Sequence, residues 1–139
     1  MRIRTTIIAT LVATLTQAQG VIDVHSHIIT PESVVRLAEI EVHPQYLDEY
    51  LAAAKEIQQQ SLATELGVIC LFPTQLHEDS TQIRILEIYA SQEAYQHHIQ
   101  TAHFQKYKHG TLHMVKSLKL QDLQPLAPET MNKIFKKFK

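Results

Sequence analysis

A chain of 139 residues has room for one modest domain, and not for a (β/α)8 barrel, which needs roughly 250 residues. Lys plus Arg total 13 against 14 Asp plus Glu, a net charge of -1, so no strong field gathers nucleic acid or anionic lipid. The single cysteine, Cys70, excludes an internal disulfide and any multi-cysteine metal knot, while 45% hydrophobic residues suffice for an ordinary core.

Arg2 and Arg4 precede the apolar run TTIIATLVATLT, Thr5 to Thr16, which is too short to cross a membrane. Small residues follow at Thr16-Gln17-Ala18, so residues 1–18 read as a bacterial-type export signal cleaved after Ala18. The mature chain is then expected to be periplasmic or secreted, with no integral membrane span. A lone cysteine is compatible with an oxidising compartment. Next comes VIDVHSHIITPE, Val21 to Glu32. Side chains alternate along an extended segment, so His25 and His27 share a side, and two such imidazoles can share a zinc ion. The segment resembles the first barrel strand of the amidohydrolase superfamily. No third ligand follows at a recognisable spacing, and the chain is too short for that barrel. Residues 19–33 are therefore expected to form an extended arm, and no metal centre is expected.

VVRLAEIEV, Val34 to Val42, alternates and is rich in β-branched residues, which predicts a first strand with both faces partly apolar. His43-Pro44 stops it. From Gln45 to Thr64, apolar positions recur at three- and four-residue steps through Leu47, Tyr50, Leu51, Ala54, Ile57 and Leu62, an amphipathic helix with Gly67 just past its end. VICLFPTQL, Val68 to Leu76, is a second strand in which Pro73 marks an edge or a bulge. Cys70, inside it, reads as a small buried hydrophobe. A polar turn leads to QIRILEIYA, Gln82 to Ala90, a third strand hairpinned to the second. Ser91 caps a second helix through QEAYQHHIQ, which breaks near Thr101 and resumes through HFQKYKHGTLHM. VKSLKLQDL, Val115 to Leu123, is the fourth strand. The order β-α-β-β-α-β predicts an α+β, ferredoxin-like domain over residues 34–125, its helices on one face of an antiparallel sheet. Ile40, Val42, Leu86 and Ile88 are available to the uncovered face or to the core. A second copy of the chain covers such a face, which predicts a homodimer. PETMNKIFKKFK closes the chain as a basic helix within residues 126–139.

Among nine histidines, His43, His77, His109 and His113 fall in polar surroundings and read as solvated. His98 differs. At 100° per residue it shares a stripe with Ala94, Tyr95, Ile99 and Ala102, on the buried side of the second helix. It is either a core histidine hydrogen-bonded to a strand or a donor or base lining a pocket. Glu87 lies between apolar neighbours on one face of the third strand, with Ile85 and Tyr89. Glu39 shares the face of Leu37 on the first. Each needs a partner or stays protonated.

The stretches RLAEIEV, RILEIYASQEAYQHHIQTAHFQKYK and MVKSLKL resemble the antibiotic biosynthesis monooxygenase family. Glu87, Tyr89, Ser91, Ala94, His98, Thr101, His103 and Phe104 meet its strand-helix pattern. The resemblance implies a dimeric α/β-barrel of ferredoxin-like protomers. It further implies oxidation of a small quinol or phenol by dioxygen without any cofactor. On that resemblance His98 is the base or donor and Glu87 its orienting partner. Tyr89, His103, Phe104, Tyr107 and Glu39 then form the substrate site, and the partners are a small aromatic substrate and dioxygen. The chain has no Trp and its only Asn is Asn132, which argues against the haem-degrading branch and its Asn-Trp-His set. Two other readings stand beside this one: a non-catalytic binder of a small aromatic or haem-like ligand, and an accessory protein to an amidohydrolase.

Overall fold

The four strands read from the sequence between Val34 and Leu123 form one sheet. The computed structural model describes residues 29–138. Strands β1 (Val34–Val42), β2 (Val68–Gln75), β3 (Gln82–Tyr89) and β4 (Val115–Leu123) form an antiparallel sheet in the order β2-β3-β1-β4. Helices α1 (Leu47–Thr64), α2 (Gln92–Gln100) and α3 (Ala102–Thr111) pack on one face of it. That is the ferredoxin-like arrangement the element order predicts. Pro44 opens a 3-10 turn, Pro44–Tyr46, that leads into α1, a position where its missing N–H is no loss. Pro73 sits in β2, an edge strand, where it breaks no central ladder.

Register decides which residues are core. Ala38 pairs with Ile85 and Ile40 with Ile83, and these side chains meet Tyr50, Ala54 and Ile57 of α1. Ile40 and Val42 therefore belong wholly to the helix-covered side, because residues two apart share a face. Leu86 and Ile88 take the other side, opposite Leu37 and Val35 in register. Cys70, expected to be buried, is only half-buried on that outer face opposite Ile88, its Sγ 3.7 Å from the Leu86 carbonyl oxygen.

Gly67 ends α1 for a reason other than backbone handedness. No described residue has a positive φ, so no left-handed cap forms. A Cβ placed on Gly67 would lie 2.6 Å from the Cβ of Ala94 in α2. The missing side chain lets the α1–β2 turn press against α2, and the Ala90 N–H donates to the Gly67 carbonyl at 2.8 Å.

The C-terminal segment is shorter and tighter than the expected helix. A single turn, α4 (Pro128–Met131), gives way to 3-10 structure over Asn132–Phe138. The Ile29 N–H donates to Asn132 Oδ1 at 3.3 Å, tying the end of the predicted arm to this tail. The expected export signal and the His25/His27 segment lie outside the described residues. Among the described residues no helix is long and apolar enough to cross a membrane.

Candidate active site

A cavity of about 490 Å³ lies between the sheet and helices α2 and α3. Its floor is the helix-facing side of β1 and β3, from Arg36 to Ile40 and from Ile85 to Tyr89. Tyr95, His98, Phe104 and Tyr107 form the helical wall. The helices stop short of β4, so Leu118 and Leu120 stay more than half exposed where they line the cavity.

Two caps place the helical wall. Ser91 Oγ accepts from the Ala94 N–H at 3.1 Å and starts α2. Thr101 then ends one helix and begins the next. Its hydroxyl donates to the His98 carbonyl at 2.7 Å and accepts from the Phe104 N–H at 3.2 Å. The kink between α2 and α3 is thus made by a side chain in a position where Thr competes with helix continuation. It brings His98 and His103, five positions apart, to a common partner.

That partner is Glu65, the residue after the last turn of α1. Its Oε2 lies 2.9 Å from His98 Nδ1 and 2.6 Å from His103 Nε2. His98 is 2% exposed, and its ring packs between those of Tyr89 and Phe104, with centroids 5.2 and 5.1 Å away. With Nδ1 held by a carboxylate, the proton belongs on Nδ1 and Nε2 keeps its lone pair. Nε2 has no hydrogen-bond partner among the described residues, and the ring lines the cavity. Burial pushes the His98 pKa down, and Glu65 opposes this only in part, so the ring is neutral near pH 7. Burial pushes Glu65 up, but the bonds from His103 and His98 outweigh it and hold the carboxyl below its usual value. A neutral imidazole oriented by a buried carboxylate and presented to a cavity can take up a proton.

The floor carries a second polar group. Glu87 accepts from the Tyr89 hydroxyl at 3.2 Å, and burial holds its pKa above the usual carboxylate range despite Tyr89 and Arg36. Arg36 lies 4.3 Å over the Tyr95 ring and pairs with Asp122 at 3.0 Å. Above them the Tyr50 and Tyr107 hydroxyls meet at 2.5 Å, and burial pushes Tyr107 up to about 12. Burial likewise raises Tyr89, so the phenols of Tyr89 and Tyr107 stay protonated at neutral pH.

The family profile for antibiotic biosynthesis monooxygenase matches residues 33–110, more than half of the chain. The chain belongs to that family. A candidate antibiotic biosynthesis monooxygenase from Bacteroides thetaiotaomicron is 45% identical, superposes with a TM-score of 0.69, and is matched over 70% of this chain and 92% of its own. A candidate monooxygenase from Lactobacillus acidophilus is 28% identical with a TM-score of 0.67, over 70% of this chain and 46% of its own. A candidate antibiotic biosynthesis monooxygenase from Nitrosomonas europaea, at 19% identity and a TM-score of 0.66, shares the fold over 72% of this chain and 96% of its own. No curated protein matches. Membership of the antibiotic biosynthesis monooxygenase family supports a monooxygenase-like activity.

The family's strand-helix pattern maps onto the cavity unevenly. His98, Glu87, Tyr89, Phe104 and Tyr107 all line it. Glu87 does not orient His98, as the resemblance implied; Glu65 does, while Glu87 bonds to Tyr89. His103 is turned to Glu65 rather than to the cavity wall. Glu39 is not at the site. The alternation that puts Arg36 and Ala38 beneath the helices puts Glu39 on the opposite face, against Arg84 at 3.4 Å and Gln121 at 2.5 Å. Sequence reasoning missed Glu65, Arg36 and Tyr95. Tyr95 was legible in the stripe it shares with His98. A basic residue beneath the helices, two before Ala38, was a weaker sign for Arg36. Glu65 carried no local sign at all.

Proposed function

We propose that the chain is a cofactor-independent monooxygenase that oxidises a small phenol or quinol with dioxygen. The observation that carries this is the Glu65–His98 pair, with its ring lining a largely apolar cavity of about 490 Å³, ample for a small aromatic substrate. In the proposed reaction His98 Nε2 accepts the substrate's hydroxyl proton, and the phenolate gives one electron to dioxygen. The phenoxyl radical and superoxide recombine at a ring carbon that bears hydrogen. Loss of that hydrogen as a proton and cleavage of the O–O bond release water and leave a quinone. One phenol and one dioxygen thus become one quinone and one water. Arg36, on the cavity floor, would stabilise the anions formed on the way. The test is oxygen uptake with simple hydroquinones and phenols. A rate in wild type that falls on His98→Ala supports the proposal. An equal rate in the two removes His98 from it, and no rate above background removes the activity.

A second reading has its own support. Burial keeps Glu87, Tyr89 and Tyr107 toward their neutral forms, an environment suited to holding an aromatic ligand without chemistry. A small aromatic or haem-like ligand recovered with the protein, without turnover, favours this binder. We also propose that the chain is exported and dimeric. The supports are the basic, then apolar N-terminus and the strip formed by Leu37, Leu86, Ile88 and the exposed Phe72 on the sheet's outer face. The mature N-terminus after secretion and the native mass test the two points.

A further inference from the structure

Glu65 is left half-satisfied. Oε2 takes both His98 and His103, yet Oε1 is fully buried with no hydrogen-bond partner among the described residues. His97 Nδ1 stands 3.6 Å from Oε1, too far for a hydrogen bond. A buried carboxylate oxygen without a partner is costly, and here imidazoles surround it. The donor atoms of Glu65, His98 and His103 all lie within 4.8 Å of one another. One carboxylate and two imidazoles, with a third imidazole at the edge, is a donor set of the zinc type.

We propose that Glu65, His98 and His103 bind a divalent transition metal, zinc or one of similar preference. His97 or water supplies a further ligand. Tetrahedral coordination places donors roughly 3.3 Å apart, against the present 2.9 Å and 2.6 Å, so loading requires Oε2 to draw back by about 0.4 Å from His98 Nδ1 and about 0.7 Å from His103 Nε2. The route from solvent is short, because the His97 side chain is 74% exposed and that of His103 17%. The site lies on the Nδ1 side of His98, behind the ring as seen from the cavity. A metal there replaces the Nδ1 hydrogen, and the neutral ring then carries its proton on Nε2. The same histidine thus turns from acceptor to donor toward the cavity. The binding proposal shares His98 with the oxidation proposed above, and a loaded site withholds the acceptor that oxidation needs; its test reads bound metal rather than turnover, so the two can fail separately.

The experiment is a Co²⁺ titration of the chelator-treated full chain, followed by visible absorption, with Zn²⁺ as competitor. The expected result is saturation at one equivalent, with Glu65→Gln and His103→Gln each weakening binding about tenfold or more. The double variant His25→Ala, His27→Ala is expected to retain that equivalent. Absence of a saturable band overturns the proposal. So does a band that survives Glu65→Gln and His103→Gln but is lost in the His25/His27 double variant. Should either variant at the site fail to fold, Zn²⁺ binding to wild type is read by ring nitrogen and proton resonances. Shifts at His98 and His103, with His98 changing tautomer, support the site. Shifts confined to other histidines overturn it.

Discussion

At the scale of single residues, Glu65 matters because one of its oxygens serves two rings. Glu65→Gln leaves a neutral amide whose oxygen accepts more weakly than an anion and whose NH2 is a donor among donors, so it holds the His98 tautomer less firmly. The expected outcome is a loss of about 1–3 kcal/mol in urea unfolding. Any oxygen uptake is expected to fall roughly a hundredfold, the lower end for general-base catalysis. Protonation gives a second prediction. The His98 pKa lies below its ordinary 6.5, so on acidification the unfolded chain takes up that proton first. Its contribution to stability is intact above 6.5 and is lost as pH falls through the lower folded value. Glu65, held below 4.5, acts in the same direction at lower pH. Glu87, held above 4.5, has the opposite sign: its contribution is present below 4.5 and is lost as pH rises through the raised value. In Glu87→Gln, where the opposing Glu87 contribution is gone, thermal melting should therefore fall between pH 7 and pH 5, and the substitution should raise the melting temperature more at pH 8 than at pH 4. His98 was legible in the sequence because its stripe is one helix long. Glu65 was not, because it is 33 positions from His98 and belongs to another helix. Only the packing of α1 against α2 and α3 brings the two together.

At the scale of elements, two short segments set the wall of the cavity. Ser91→Ala removes the cap of α2 and should cost about 1 kcal/mol, measured by chemical unfolding. Gly67 predicts something different. An added Cβ meets Ala94 rather than a strained backbone, so Gly67→Ala is expected to push α2 outward and cost about 1–3 kcal/mol. Combining it with Ala94→Gly should recover most of that loss, an outcome a left-handed cap would not produce. The strands and helices were readable because their periods, two and 3.6, are local properties. Ser91 and the break at Thr101 were readable for the same reason. The role of Gly67 was not, since a gap between two elements leaves no trace in either one. The C-terminal segment misled for a related reason: its apolar spacing suits a helix, but the chain winds as 3-10 structure after one turn.

At the scale of the whole molecule, the helices cover one face of the sheet, and the other carries an apolar strip of Leu37, Leu86 and Phe72 beside the Glu39–Arg84 pair. If the proposed dimer forms through this face, Leu37→Lys together with Leu86→Lys, a facing pair on the outer side, is expected to halve the native mass in sedimentation while leaving the helical signal in place. An unchanged mass would place any association elsewhere. The order of elements from β1 to β4 was legible, but the face assignment was not: Ile40, Val42, Leu86 and Ile88 were undecided, and Glu39 was put on the wrong side, until pairing with β3 and β4 fixed each. The meeting of three helices on one carboxylate has a consequence for how such a chain can vary. Changing Glu65, His98 or His103 singly strands the other two, whereas a buried ionic cluster replaced as a set by apolar residues can fold as well or better. A library that randomises these three codons together should yield stable clones that stepwise mutagenesis never reaches.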